Sequence, residues 1–290
     1  KADQHLHISG NGAENSLIVC RDEEREAVIE VLPDTELVLE NISISGSVRC
    51  ILAAKGSKTR IEKSVLSHCK KGGINICPDE AGCRADLSVI NTFIGDIDEA
   101  LSGISYGISF GNGSLKISGS EISGVNSFGI AVWGEEENLN KVEIENSVIT
   151  SVFGGLRSYE GHGFYAENSA DVVIKKSSIS DTATSFIMVS SDNDEIKLQL
   201  IDFNAENMLE TGEEQGGIVL DGNVNACFNK VALENSRGNG VFSRGAVLYA
   251  EDLSVKSVFS DGLGENGFAL QLVDGSESFI RRLSVNSAEK

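Results

Sequence analysis

Aromatic rings, carboxylates and one guanidinium recur at matching places in this chain. Trp133, Tyr165 with Glu167, Asp221, and Phe242 with Arg244 each lie two or four residues beyond a glycine, at Gly129, Gly163, Gly217 and Gly240. Such a set suits carbohydrate, because aromatic faces pack on the apolar faces of sugar rings while carboxylates and Arg hydrogen-bond hydroxyls. The plainer alternative is that Trp133, Tyr165 and Phe242 lie under neighbouring loops as a satellite cluster.

Catalysis is open to the same residues. Glu167 and Asp221 fall two repeats apart, about 10 Å if repeats stack at the strand spacing, near the upper limit for an inverting pair of carboxylates. Arg244 is a third candidate. His162, in a segment with Arg157, Tyr159 and Glu160, offers the side chain best tuned to acid–base work at neutral pH, against the bland reading of a solvated polar loop. Asp96, Asp98 and Glu99 are a weak candidate set for a cation such as calcium, as are His5 and His7, but two or three ligands do not complete a site. No other cofactor is suggested, since no phosphate-cradling glycine loop, nucleophile elbow or nucleotide fingerprint occurs.

Five of the six cysteines fall in the first third of the chain. Cys77 and Cys83 bracket a short polar loop and are expected to form a disulfide, which implies an oxidising compartment. A zinc site of His68, Cys69, Cys77 and Cys83 is the rival, without the paired spacing that tetrahedral zinc usually shows. Cys227 is expected to be a small buried hydrophobe.

What must position these residues is a repeat. A nine-residue pattern (apolar, x, apolar, x, x, small or apolar, x, apolar, x) starts at residues 37, 59, 87, 115, 142, 172, 198, 226, 248 and 278. Each nonamer reads as two period-2 strands joined by a two-residue corner, often with Asn, Gly, Lys or Asp. A third strand follows a variable gap and usually opens with glycine, as at Gly73, Gly107, Gly129, Gly163, Gly217, Gly240 and Gly267, with Ser185-Phe-Ile-Met-Val as the exception. A unit of this size cannot bury its apolar positions alone; stacking makes a continuous core and pairs every strand with its neighbours. Alternation places Ser109, Ala131, Trp133, Tyr165, Glu167, Met188, Val219, Asp221, Phe242, Arg244 and Gln271 on the outside of the third strand. Ser and Asn near the corners are expected to form ladders from coil to coil.

Segments such as VVIKKSSIS followed by a Gly-Ile strand resemble the repeat of the right-handed parallel β-helix, the pectate-lyase-like superfamily. The resemblance covers about residues 35–287 and implies an all-β, single-stranded solenoid of about ten coils with three short strands each. It also implies a substrate cleft beside the column of long loops. Lyases of this fold gather calcium-binding Asp residues with a basic residue, and its glycosidases gather three Asp on neighbouring strands; this sequence shows neither cluster.

Residues 1–34 are expected to be an irregular coil or cap, with a weakly signalled helix over 21–29, and 35–290 a β-helix continuing beyond the C-terminal end. The net charge of -20 argues against nucleic acid as a partner. No apolar run is long enough to span a membrane. The first reading is an extracellular or cell-surface binding or structural module, acidic and secreted, contacting carbohydrate or another surface polymer. A polysaccharide lyase or glycoside hydrolase, and a fibre or adhesin display segment, are the alternatives. The oligomeric state is not written in the sequence.

Overall fold

The computed structural model describes residues 4–22, 24–77, 83–97, 104–134, 139–154, 160–209, 216–260 and 267–288. Among them every regular element is a β-strand and every strand pairing is parallel, so the chain winds as a parallel β-helix. Right-handedness follows from the general rule for parallel crossovers.

The nonamer sets the register. Position one of each repeat pairs with position one of the next throughout: Leu37 with Thr59, Thr59 with Leu87, Leu87 with Leu115, Leu115 with Val142, and Val142 with Val172. Val172, Leu198, Ala226, Leu248 and Ser278 continue the series. A one-residue slip would turn every inward side chain outward, so the apolar pattern specifies the register strongly.

Position five of every nonamer makes the corner. Asn41, Lys63, Asn91, Gly119, Asn146, Lys176, Asp202, Lys230, Asp252 and Arg282 all have φ between 48° and 65°. One left-handed residue at this place turns the chain from the first face to the second. Asn, Asp and Gly tolerate that conformation best, and the Lys and Arg examples carry its modest cost.

Position six faces inward at the same corner. In five consecutive coils it is Ser64, Thr92, Ser120, Ser147 and Ser177, and each hydroxyl donates to the carbonyl two residues back, at 2.8 to 3.0 Å. Each also accepts the N–H of position six in the coil before, as in Thr92 N–H to Ser120 Oγ (3.1 Å) and Ser147 N–H to Ser177 Oγ (3.1 Å). The buried hydroxyls are therefore satisfied as a ladder. Later coils replace it with Phe203, Val231 and Leu253, which are fully buried. Asn side chains make a second, outer ladder at the next corner, where Asn235 donates to Asn207 and Asn207 to Asp181.

The glycine that opens the third strand is there for want of space. A Cβ on Gly107 would lie 2.5 Å from Ile122 Cγ2 and 2.6 Å from the Gly129 carbonyl oxygen, and Gly73, Gly129, Gly163 and Gly240 are as tightly enclosed. Phe186 takes this place in the seventh coil, between Gly163 and Gly217. Gly267 does not belong to the column, because Val241 pairs with Leu270 and so sets Ala269 opposite Gly240. The last insertion is longer by two residues than the sequence pattern suggested.

Residues before 35 supply three strands, Gln4–Ser9, Leu17–Val19 and Ala27–Val31, which pair in register with Thr35–Glu40, Ser43–Ser45 and Arg49–Ala53. The helix over 21–29 is not formed among its described residues, since Ala27 already begins a strand whose ends, Ala27 and Val31, are buried.

Candidate functional site

The third face carries the expected residues in two outward columns. One runs Ser109, Ala131, Tyr165, Met188, Val219, Phe242, Gln271. The other runs Trp133, Glu167, Ser190, Asp221, Arg244. Glu167 and Asp221 are therefore two coils apart, about 10 Å along the axis at the strand spacing. The columns are unequally open: Ser109, Ala131, Met188 and Val219 are buried, Trp133, Tyr165, Glu167, Asp221, Phe242 and Gln271 are half-buried, and Arg244 is exposed.

Trp133 and Tyr165 belong to a larger cluster. Their ring centroids are 5.0 Å apart with planes inclined by 50°. Phe128 packs on both, at 6.1 and 5.3 Å, and Tyr106 stacks on Phe128 at 5.7 Å. Tilted and edge contacts of this kind hold rings in place beyond simple burial. Phe128 forms the buried floor at 1% exposure, and the half-buried Tyr106, Trp133 and Tyr165 make the rim. The cluster thus has a covered base and an accessible edge. Tyr106 and Phe128 were not foreseen, although the aromatic–glycine pairs Tyr106-Gly107, Phe128-Gly129 and His162-Gly163 mark their column.

The charged groups are engaged. Tyr165 donates its hydroxyl to Glu167 at 3.0 Å. Arg244 grips Asp221 through two hydrogen bonds, Nε to Oδ1 at 2.7 Å and a second from Nη2 to Oδ2. That fork occupies both carboxylate oxygens, so Asp221 is poorly placed to activate a water opposite Glu167. His162 is wholly enclosed, with Phe128 at 5.6 Å and Tyr165 at 5.8 Å, and Glu160 is 2% exposed and accepts the Ser127 hydroxyl at 3.1 Å. The sequence suggested an open polar loop here; at these two residues the structure shows buried groups. Arg157 and Tyr159 lie outside the described residues.

No protein family and no curated protein matches the chain. Solved structures do match in shape. The chain is similar to a variant GH87 α-1,3-glucanase catalytic domain in complex with tetrasaccharides, at TM-score 0.59 and 12% identity over 98% of this chain and 60% of that one. The Agl-KA catalytic domain matches at TM-score 0.53 and 12% identity, over 96% of this chain and 58% of that one. The chain has the parallel β-helix fold. It shares that fold with carbohydrate-active proteins and spans about 60% of the length of the first structure it matches. A Pseudomonas phage tailspike protein also aligns, at TM-score 0.49 and 15% identity over 89% of this chain and 49% of that one.

The β-helix carries two disulfides, Cys77–Cys83 as expected and Cys50–Cys69, which was not foreseen. Together they leave no thiolates for zinc at Cys69, Cys77 or Cys83. Cys227 is exposed rather than buried, because it stands at position two of its nonamer, beside Gln199 and Tyr249 on the outside of the first face. Among the described residues no three His, Cys, Asp or Glu side chains gather as a metal site. Asp96 sits at a left-handed corner, Asp98 and Glu99 lie outside the described residues, and His5 and His7 face Glu36 and Glu40. No helix among the described residues is long and apolar enough to cross a membrane.

Proposed function

We propose that this β-helix is an extracellular module that binds polysaccharide along its third face. The observation that carries this reading is the rim of Tyr106, Trp133 and Tyr165 over buried Phe128, with Glu167 one coil from Trp133 in the same column. A sugar ring lying on the rim would cover the rings' apolar faces while Glu167, Asp221 and Arg244 take its hydroxyls. A fold shared with a glucanase domain crystallised with tetrasaccharides supports the ligand class, and two disulfides support an oxidising compartment.

The test is direct because Trp133 is the sole tryptophan. Titrating a panel of soluble polysaccharides while following tryptophan emission should show a saturable change with at least one of them. Trp133→Ala, followed by affinity electrophoresis, should lose that retardation; retardation undiminished in the variant would sink the reading.

A hydrolase or lyase using Glu167, Asp221, Arg244 or His162 is the second reading; the two-coil separation of the carboxylates favours it, and the Arg244 fork on Asp221 and the enclosure of His162 count against it. New reducing ends or unsaturated products that vanish in Glu167→Gln and Asp221→Asn would establish it.

A further inference from the structure

The first face, away from the aromatic rim, has a pattern of its own. Position two of the nonamer is its middle outward column, and three consecutive members are Cys227, Tyr249 and Phe279. Cys227 is a free, exposed thiol, and the two rings are 46% and 55% exposed. Their centroids lie 5.0 Å apart with planes within 10° of parallel. That separation is the coil spacing, so the rings stack along the solenoid axis and turn their edges to solvent. A sugar packs on ring faces, whereas ring edges interdigitate with another apolar surface.

Charges of opposite sign flank this column, two residues to either side. Lys141 and Glu145 stand on one strand, Asp171 and Lys175 on the next, and Glu277 and Arg281 on the strand of Phe279. Wherever one flank is positive the other is negative. Along the second flank Glu145 pairs with Lys175 at 3.2 Å and Arg281 with Glu251 at 3.4 Å. On the first flank Lys141, Asp171 and Glu277 make no ion pair with another described residue. Such a face is complementary to itself. A twofold axis parallel to the solenoid, above the middle column, sets the first flank of each copy on the second flank of the other in the same coil.

We propose that the first face binds a second copy of this chain, the two solenoids lying parallel and side by side, whatever the third face binds. Lys141 then meets Glu145 of the second copy, Asp171 meets Lys175 and Glu277 meets Arg281, each twice, and the exposed rings close on their own images. The like charges that meet on the axis, Lys116 and Glu143, are paired with each other at 3.6 Å within each copy. An antiparallel pair also matches Lys141 with Asp171, but it sets Tyr249 against Arg60, a member of the same column near its other end, and parts the aromatic pairs. The matched coils cover about 16 by 30 Å at strand geometry, less than the roughly 800 Å² per partner of a standard interface. Association in the micromolar range follows, best measured at physiological salt, where the -20 charge on each copy is screened over about 8 Å.

Sedimentation velocity from low to high micromolar protein should show a monomer–dimer equilibrium. Lys141→Glu and Glu145→Lys should each weaken it by about tenfold or more, since each brings like charges together twice. Mixed in equal amounts, the two variants should recover it, because every contact between them is again of opposite sign; an antiparallel pair gains no such recovery. Face-packed sheets lie about 10 Å apart, so a short bismaleimide should join Cys227 to Cys227 in the dimer and fail in Cys227→Ser. A protein that stays monomeric at high micromolar concentration, a mixture that associates no better than its two variants, or a dimer whose Cys227 thiols are not bridged would each overturn the proposal. So would a Tyr249→Ala variant that associates normally and binds polysaccharide less, which would give the rings to sugar.

Discussion

Replacing Gly129 by alanine isolates the reason for the glycine column. The Gly129 backbone is not in the left-handed region, so an alanine there meets no intrinsic penalty. Its Cβ, however, would lie 2.5 Å from the Gly163 carbonyl oxygen and 2.6 Å from Ile149 Cγ2. Ile149 is a stiff β-branched side chain in a full core, and the carbonyl belongs to the neighbouring strand, so neither yields freely. Overpacking costs about 1–3 kcal/mol, and two immovable neighbours place this case near the top. Burying one further methyl returns about 0.8 kcal/mol. The expected net loss is about 2 kcal/mol, read as a lower urea midpoint at unchanged slope. Gly275→Ala is the matched control, since it has φ of +81° and nothing within 4 Å; it should cost only the left-handed penalty of about 1 kcal/mol. A Gly129→Ala midpoint equal to or above that of the unmodified protein, or a greater loss at Gly275, would refute the account of the column. Because Gly129 opens the strand that presents Trp133, polysaccharide binding should weaken in the same variant.

Other consequences can be checked alongside. Cys50→Ala with Cys69→Ala opens a loop whose ends are 19 residues apart, and loop entropy puts its loss at about 3 kcal/mol, against about 2 for the six-residue separation of Cys77 and Cys83; denaturant curves of the two double variants should rank in that order. Ser147→Ala removes the acceptor of the buried Ser120 N–H and should destabilise by about 1–3 kcal/mol, seen as faster amide exchange at Ser120. The Arg282 guanidinium holds the Asp252 carboxyl below its usual range. The stabilisation from this pair is complete above the ordinary Asp value of 3.8 and is lost as pH falls through the lower folded value. An NMR titration should show Asp252 moving up toward that ordinary value in Arg282→Gln.

The fold was legible because a single nine-residue pattern carries both alternation and corner. Leu87, Leu115 and Val142 could be aligned from their neighbours alone, and the structure pairs them so. The Gly267 coil was misread because an insertion hides where its strand resumes, and Leu270 rather than Phe268 begins it. The Cys50–Cys69 bridge was hidden for another reason. Its partners occupy different positions in successive coils, one in Arg49–Ala53 and one beyond Val65–Ser67, so the repeat places neither opposite the other. Cys227 could have been read correctly, since position two of the nonamer faces out. For the site, the register of Glu167, Asp221 and Arg244 followed from the repeat. The fork between the last two depends on side-chain reach, which alternation does not encode. Phe128, and the enclosed place of His162 beside it, escaped because the outward pattern was counted from the glycine onward, and their column begins one residue before it.

The left-handed corner at position five acts as a phase reference for the whole solenoid. Successive repeat starts in the sequence are separated by anything from 22 to 30 residues, yet each new coil re-enters in register after its own Asn, Lys, Asp, Arg or Gly corner. Length added between the second and third strands is thus absorbed within one turn and is not transmitted to the next. Such a chain can accept loop exchange beside the third face without disturbing the columns beneath. The spacing of Trp133, Glu167 and Asp221 then behaves as a fixed scale, and the loops as interchangeable fittings that decide what is measured against it.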